Sequence, residues 1–310
     1  MFLSVVICSY NPKPSIIARV LDSLQQQTLD RTCWELILVD NNSTEPLSKS
    51  INLSWHPHGK IIREPRAGLF HARVCGVENA QAPLIVFADD DNVLGKDYLL
   101  KSYTFHQSHP EVGCFGGKSL PVFETPPPGW FAESGINLGC QNYGDHLHIS
   151  NYAAVNFHVA EYPQKAPIGT GMVILKKAFL LYLEEVLQNP DRAKLGRRGK
   201  SLSSGEDNDI ILTIVKKGFE IAYLPDLVVQ HLIPANRYSK DYLKRMAFES
   251  NRTWMKVLHY HSINPRKKIN KLTYLPRKLK SYLNHRAWRS PLSEIQWMAS
   301  CGTFKGLSEL

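Results

Sequence analysis

Three aspartates, Asp89, Asp90 and Asp91, follow directly on the apolar run LIVFA at 84–88. Side by side they repel one another unless a divalent cation, a basic side chain or water sits among them. Alternate residues of an extended segment share one side, so Asp89 and Asp91 can face the same cavity while Asp90 acts as a spacer, free to cap or to meet solvent. That geometry suits a hard cation held by one or two carboxylates together with substrate phosphates, as Mg2+ or Mn2+ prefers. An acidic turn capping the next helix is the other reading. A second acidic group, Glu206 and Asp207 in SGEDND, stands between a glycine- and serine-rich loop and an apolar helical run. It could supply a general base or cap the helix, since acids belong at helix N-termini in any case. His231, after the run LVVQ, could ligate a cation or simply pack.

These groups need elements to hold them. LSVVICSY reads as a strand, and SIIARVLDSLQQQ carries Ile16, Ile17, Val20, Leu21 and Leu24 at helical spacing, with Pro14 and Ser15 as start signals. ELILVD is a second strand, NNSTEPLSKSI a turn into a short helix, and KIIREP a third strand. AGLFHARVCGVENA repeats the helical period and APLIVFADDD is a fourth strand. This alternation implies right-handed crossovers and a parallel sheet with helices on both faces. Ligands of such sheets lie beyond the carboxyl ends of the strands, which puts Ser9, Tyr10, Asn11, Asp40 and the aspartate triplet at one edge. Further on, PEVGCFGGKSLPVF suggests a strand pair and ETPPPGWFAES a proline-rich loop. IGTGMVILKKAFLLYLEEVL is a strand running into an amphipathic helix, DIILTIVKKG a helix and EIAYLPDLVVQH a last strand. YLKRMAFESNRTWMKVLHY, LTYLPRKLKSYL and SEIQWMAS then read as helices.

Composition narrows the class. The 310 residues are 43% hydrophobic, ordinary for a soluble globular chain. The six cysteines form no CxxC pair, so reduced cytosolic thiols are the simplest account and disulfide or zinc-ribbon frameworks are excluded. MFLSVVICSYNP lacks a basic n-region and reads as the first strand rather than a signal peptide. No window of about 18 uncharged apolar residues suggests a spanning helix. The net charge of +9 comes from the tail: 15 of 37 Lys and Arg, but only 4 of 28 Asp and Glu, lie from Lys240 onward. Aromatic residues interleave with these bases, so the tail could be a membrane-surface helix pair, a helical appendage with a solvated basic face, or a nucleic-acid site. No nucleic-acid module accompanies the charge, and the appendage is the reading favoured over membrane contact. There is no GxGxxG after the first strand and no GxxxxGK[ST], so any phosphates must be held by metal and basic side chains.

VVICSYN, ILVDNNSTE, REPRAGLFHARVCGVENA, FADDDN, SGEDNDIILTIVKKG and QHLIPANR occur in the order seen in the inverting nucleotide-sugar transferases of the GT-A fold, the large family-2 group. The chain resembles that family over about residues 3 to 237. The resemblance implies an α/β, Rossmann-like, mostly parallel sheet flanked by helices. A catalytic domain would span 1–238, with a nucleotide-binding half at 1–110 and an acceptor-binding half at 111–238, and a basic helical appendage 239–310. Asp40 resembles the carboxylate that accepts from the nucleobase; Ser9 and Tyr10 would line that pocket, and Arg73 would contact Asp89 or the nucleotide. Asp89 and Asp91 are the outer members of a DxD motif, the first near the ribose and the second on a Mn2+ or Mg2+ bridging the diphosphate; Asp90 shares the donor side. Asp207 looks like the general base with Glu206 beside it, and His231 like the histidine completing the metal site.

The implied reaction is metal-dependent, inverting transfer of a sugar from a UDP-, GDP- or dTDP-sugar to a hydroxyl of a glycan or lipid-linked glycan. It would take place in the cytoplasm without nucleic acid, with peripheral contact at the inner face of a membrane as the alternative to a packed appendage. On the acceptor side, Trp130 could stack on a sugar or anchor its loop, and Gly169, Thr170 and Gly171 could permit close approach or form a tight turn. Arg197, Arg198, Lys200 and Arg237 are candidate diphosphate contacts, although charged loop residues are commonly just solvated. A sugar-1-phosphate nucleotidyltransferase would need a glycine-rich basic loop after the first strand, which SYNPKPS lacks. A non-enzymatic basic membrane- or nucleic-acid-binding protein would have no reason to keep Asp40, Asp89, Asp91 and Asp207 together.

Overall fold

The computed structural model describes residues 1–150 and 161–310. Its contacts separate two compact units: Met1–Val122, Gly139–Ala193 and Ile210–Leu232 form the first, and Phe123–Leu138, Lys194–Asp209 and Ile233–Leu310 the second. Among the described residues no helix is long and apolar enough to cross a membrane.

The first unit is built on a sheet. Strands β1 (Leu3–Ser9), β2 (Trp34–Asp40), β3 (Gly59–Arg63) and β4 (Leu84–Asp89) pair in parallel, with crossovers through α1 (Pro14–Gln25) and α2 (Leu69–Asn79). Val5, Val6, Ile7, Leu36, Ile37, Leu38, Leu84, Ile85 and Val86 are fully buried, the continuous apolar pattern of strands covered on both faces. The register sets the edge: Ser9 lies beside Asp40, Asp40 beside Arg63, and Cys8 beside Asp89. The chemistry-bearing residues therefore end three adjacent strands together.

Beyond β4 the parallel pattern stops. Strands β5 (Asn92–Leu94), β6 (Val112–Phe123), β7 (His148–Ser150), β8 (Val173–Leu175) and β9 (Glu220–Ile233) extend the sheet in the order β3-β2-β1-β4-β8-β6-β9-β5, with β7 on β9. The pairs β4–β8, β6–β8, β5–β9 and β7–β9 are antiparallel. The sheet expected to be mostly parallel is thus parallel in its first four strands and mixed overall. The strand pair expected around Val112 is one twelve-residue strand. A Cβ at Gly117 would lie 2.0 Å from the Leu227 carbonyl oxygen, so this glycine serves close backbone approach to β9. Helix α3 (Tyr98–Ser108) has no counterpart in the pattern reading; Tyr98, Leu99, Ser102 and Phe105 are its buried face. Helices α4 (Lys176–Gln188) and α5 (Glu206–Lys216) follow, α5 having its first turn in the second unit.

The second unit contains α6 (Lys240–Tyr260), α7 (Tyr274–His285) and α8 (Pro291–Glu309). Met255, Leu258 and Leu307 form a small core with Trp254, Ile263, Ile269 and Leu310 against it. Arg252 and Lys256 of α6 bind Glu309 of α8 at 2.8 and 3.0 Å.

One buried histidine in the first unit makes stability pH-dependent. His56 packs edge-on to Trp34 at 4.1 Å, and its Nδ1 accepts the His58 N–H at 3.1 Å. Burial first, then the charges of His58 and Arg31, push its pKa down to about 4. Because the unfolded histidine titrates near 6.5, the unfolded chain binds the extra proton between these values, so stability present above 6.5 is lost as pH falls toward 4. Thermal unfolding followed from pH 7 to pH 5 should show a loss on the order of 1 kcal/mol that His56→Phe removes.

Candidate functional site

At the parallel strand ends, each side chain is tied into the sheet edge. Asp40 is 1% exposed and both its oxygens are engaged: Oδ1 accepts from Ser43 N–H at 2.8 Å, and Oδ2 from Leu47 N–H at 3.1 Å and Arg63 Nη1 at 3.2 Å. It shapes the turn after β2, a role the sequence does not announce. Ser9 is buried and donates from Oγ to Asp90 Oδ2 at 2.6 Å. Asp90, expected as a spacer open to solvent, therefore joins the ends of β1 and β4. Tyr10 is 56% exposed beside it. Arg73 is buried on α2 with its guanidinium 5.2 Å from the Phe87 ring centroid, and Phe87 lies on β4 two residues before Asp89.

The turn after β4 brings Asp91 to β9. Antiparallel pairing sets Asn92 opposite His231, and Leu232 N–H donates to the Asp91 carbonyl at 2.9 Å. Asp91 Oδ1 then lies 3.4 Å from His231 Nε2, with the two side chains 8% and 6% exposed. Asn92 braces the turn: its Nδ2 donates to Asp91 Oδ1 at 2.9 Å and its Oδ1 accepts from Asp89 N–H at 3.1 Å. On the other side of the imidazole, Cys140 Sγ is 3.7 Å from Nδ1. Burial alone would lower the His231 pKa, but the hydrogen bonds from Asp91 and Cys140 outweigh it and hold the group at about 9. His231 is therefore an imidazolium facing Asp91 at neutral pH, and must shed that proton before it could ligate a cation.

Among the described residues no three His, Cys, Asp or Glu side chains gather into a ready-made metal site. Two protein ligands completed by phosphate oxygens and water are what a small hard cation accepts, so Asp91 and His231 fit a Mn2+ or Mg2+ that binds with a diphosphate. The imidazole suits Mn2+ better than Mg2+. The loop at Gly169–Gly171 reaches this cluster: Thr170 Oγ1 donates to Gly139 O at 3.1 Å, and a Cβ at Gly139 would lie 3.5 Å from His231 Cε1. Gly171 has φ 75°, its carbonyl accepts from Tyr98 Oη, and a Cβ there would meet Val229 at 2.6 Å. Both properties require glycine.

In the second unit, Glu206, Asp207 and Asp209 occupy the first turn of α5, where the helix dipole favours carboxylates. They are not equivalent. Glu206 is 2% exposed, and Asp209 is fully buried with Oδ1 2.7 Å from His261 Nε2. Asp207 is half-buried, the acid of this turn with the most access to a ligand. Arg197 Nη1 donates to Tyr242 Oη at 3.1 Å, Arg198 and Lys200 are exposed, and Arg237 is half-buried in a short 3-10 turn. Trp130 is half-buried in a 3-10 segment whose neighbour Phe131 packs against Phe123 and Tyr238.

Pattern reading quoted Asn92 without giving it a role, although an amide that both donates and accepts is suited to bracing an acidic turn. Arg63 could have been noticed as a base at a strand end. Cys140 carries no local signal, because only the fold brings it to His231.

The glycosyl transferase family 2 model matches residues 4–160. Among curated proteins, polypeptide N-acetylgalactosaminyltransferase 8 of Drosophila melanogaster is 38% identical over 103 residues, 31% of this chain and 17% of that protein. The succinoglycan biosynthesis protein ExoM of Rhizobium meliloti is 23% identical over 266 residues, 83% of this chain and 75% of that protein. The chain thus spans a small part of the first relative and most of the second. Among solved structures, GalNAc-T7 with UDP, GalNAc and Mn2+ aligns with a TM-score of 0.56 at 15% identity, over 100% of this chain and 56% of that one. A likeness at that identity speaks for the fold, a mixed α/β sheet flanked by helices.

Proposed function

The chain belongs to glycosyl transferase family 2, and from that premise we propose that it is a metal-dependent inverting glycosyltransferase using a nucleoside diphosphate sugar. The acceptor is a hydroxyl of a glycan or lipid-linked glycan under construction. The observation that carries the reading is the approach of Asp91 to His231 at the edge where β1, β2 and β4 also end. Bacterial glycan assembly is suggested by ExoM, a succinoglycan biosynthesis protein. A uracil base is suggested by the UDP bound to GalNAc-T7. The six free thiols agree with a cytoplasmic enzyme.

In this reading the base lies near Asp40, with Ser9 and Tyr10 lining its pocket, Asp89 toward the ribose and Asp90 fixing the turn through Ser9. Arg73 supports the donor side from beneath, through Phe87. Asp91 and His231 hold the Mn2+ or Mg2+, which when bound would stabilise the charge growing on the leaving diphosphate. Asp207 accepts the proton of the acceptor hydroxyl as that oxygen attacks the anomeric carbon on the face opposite the diphosphate. Inversion follows from a single displacement. Arg197, Arg198, Lys200 and Arg237 are the candidate phosphate contacts of the second unit, and Trp130 its candidate acceptor contact.

A thermal-shift screen tests the donor half of the reading. UDP, GDP and dTDP, and the matching nucleotide sugars, are added with and without Mn2+. One base should raise the unfolding temperature by several degrees, and only with the metal, because a ligand bound to the native state alone stabilises by mass action. A panel in which no nucleotide stabilises the chain with Mn2+ would count against the proposal.

A further inference from the structure

Helix α7 turns one face to α8 and leaves the opposite face uncovered. Tyr282 packs on Trp297 at 5.0 Å, Trp297 Nε1 donates to Lys278 O at 3.1 Å, and the Lys278 ammonium lies 5.2 Å from the Trp297 ring. On the far side Leu272, Leu275, Leu279 and Leu283 are 84, 70, 65 and 57% exposed, whereas Trp288 beyond the helix end packs on Tyr282 at 5.6 Å. A four-residue spacing places Leu275, Leu279 and Leu283 in one row along the helix, and Leu272 stands in the 3-10 turn just before it. Scattered exposed leucines need no explanation, but a row of this kind does.

The charge around the row is of one sign. Residues 266–289 hold Arg266, Lys267, Lys268, Lys271, Arg277, Lys278, Lys280, Arg286 and Arg289 and no acid. The acids of the tail are engaged elsewhere: Glu294 pairs with Lys240, Glu309 with Arg252, Lys256 and Lys305, and Glu249 with Arg252. Among the described residues no ion pair involves a base of α7. An apolar ridge with basic flanks lies flat in a lipid interface, its leucines among the upper acyl chains and its Lys and Arg at anionic headgroups. A second copy of this chain is a poor occupant, because it would bring the same uncompensated bases against these. The ridge is also convex, one helix wide, so it fits a deformable surface better than a preformed groove.

We propose that α7 is an interfacial helix that docks the protein on an anionic lipid surface through Leu275, Leu279 and Leu283, with Leu272 ahead of its first turn. The docking is independent of the transferase reading and would stand if that reading failed. Neither element supports the other in the tests.

The test is co-sedimentation of the full chain with vesicles of phosphatidylcholine alone or with added phosphatidylglycerol. The wild-type chain should bind the anionic vesicles and bind the neutral ones at least about tenfold more weakly. The triple variant Leu275→Ser, Leu279→Ser, Leu283→Ser should lose at least about tenfold in partition on anionic vesicles while its unfolding temperature holds, since these side chains are exposed. Arg277→Gln with Lys280→Gln should weaken binding at low salt and matter less at high salt. The proposal is overturned if the wild-type chain ignores anionic vesicles, or if the leucine variant binds them as well as wild type. It is equally overturned if sedimentation velocity shows a wild-type dimer that the leucine variant abolishes while neither binds vesicles.

Discussion

Asp91→Ala should lose Mn2+-dependent binding of the nucleoside diphosphate by at least about a hundredfold in calorimetry, more than loss of an outer partner of a metal ligand costs. Two effects must be separated in this variant. The carboxylate is a proposed metal ligand, and it is also the partner that keeps His231 protonated. A histidine held at about 9 when folded and 6.5 otherwise contributes stability that is fully present below 6.5 and lost as pH rises through 9. Asp91→Ala should therefore be less stable than wild type at pH 6, with the gap closing near pH 10. Asp91→Asn controls for the turn: it removes the charge from both roles but keeps an acceptor for Asn92 Nδ2. Metal-dependent affinity unchanged in both variants would sink the assignment of Asp91, whatever happens to stability.

Asp207→Asn should leave donor affinity within about twofold of wild type and lower kcat by about a hundredfold to ten-thousandfold, the range a positioned general base supplies. The two carboxylates that flank it give the comparison its force. Glu206 and Asp209 are buried, Asp209 on His261 at 2.7 Å, so replacing either disturbs the start of α5 and should show in the unfolding temperature. Asp207 is half-buried and its amide is close in size, so the variant should lose no more than the roughly 0.3–1 kcal/mol that a charge at a helix N-terminus contributes. Transfer at near wild-type rate by Asp207→Asn would remove this residue from the mechanism.

The difference between these two positions shows how far pattern reading reaches. Strands at Leu3–Ser9, Trp34–Asp40 and Leu84–Asp89, and the helices between them, announce themselves because short continuous apolar runs and the 3.6-residue period are local properties of a chain. The edge on which Ser9, Asp40 and Asp89 end follows, since parallel strands joined by crossovers must finish on the same side. The antiparallel half was harder to read. The strand pair suggested around Gly117 is one strand in which that glycine permits close approach to β9, and Tyr98 to Ser108 carries too polar a face to stand out as a helix.

The sequence by itself determined the first parallel strands and the helices between them, the shared edge on which acidic residues gather and the basic character of the tail. Tertiary structure alone decided who touches whom: His231 reaches Asp91 because β9 runs antiparallel to β5, and Cys140 reaches His231 through a loop held by Thr170. It also decided that Asp40 spends both oxygens on its own turn, and that the leucines of α7 face away from α8. The physical reason is the range of the forces involved. Periodicity and turn chemistry act over a few residues, whereas burial and hydrogen-bond partners depend on strand pairings that close only when distant segments meet.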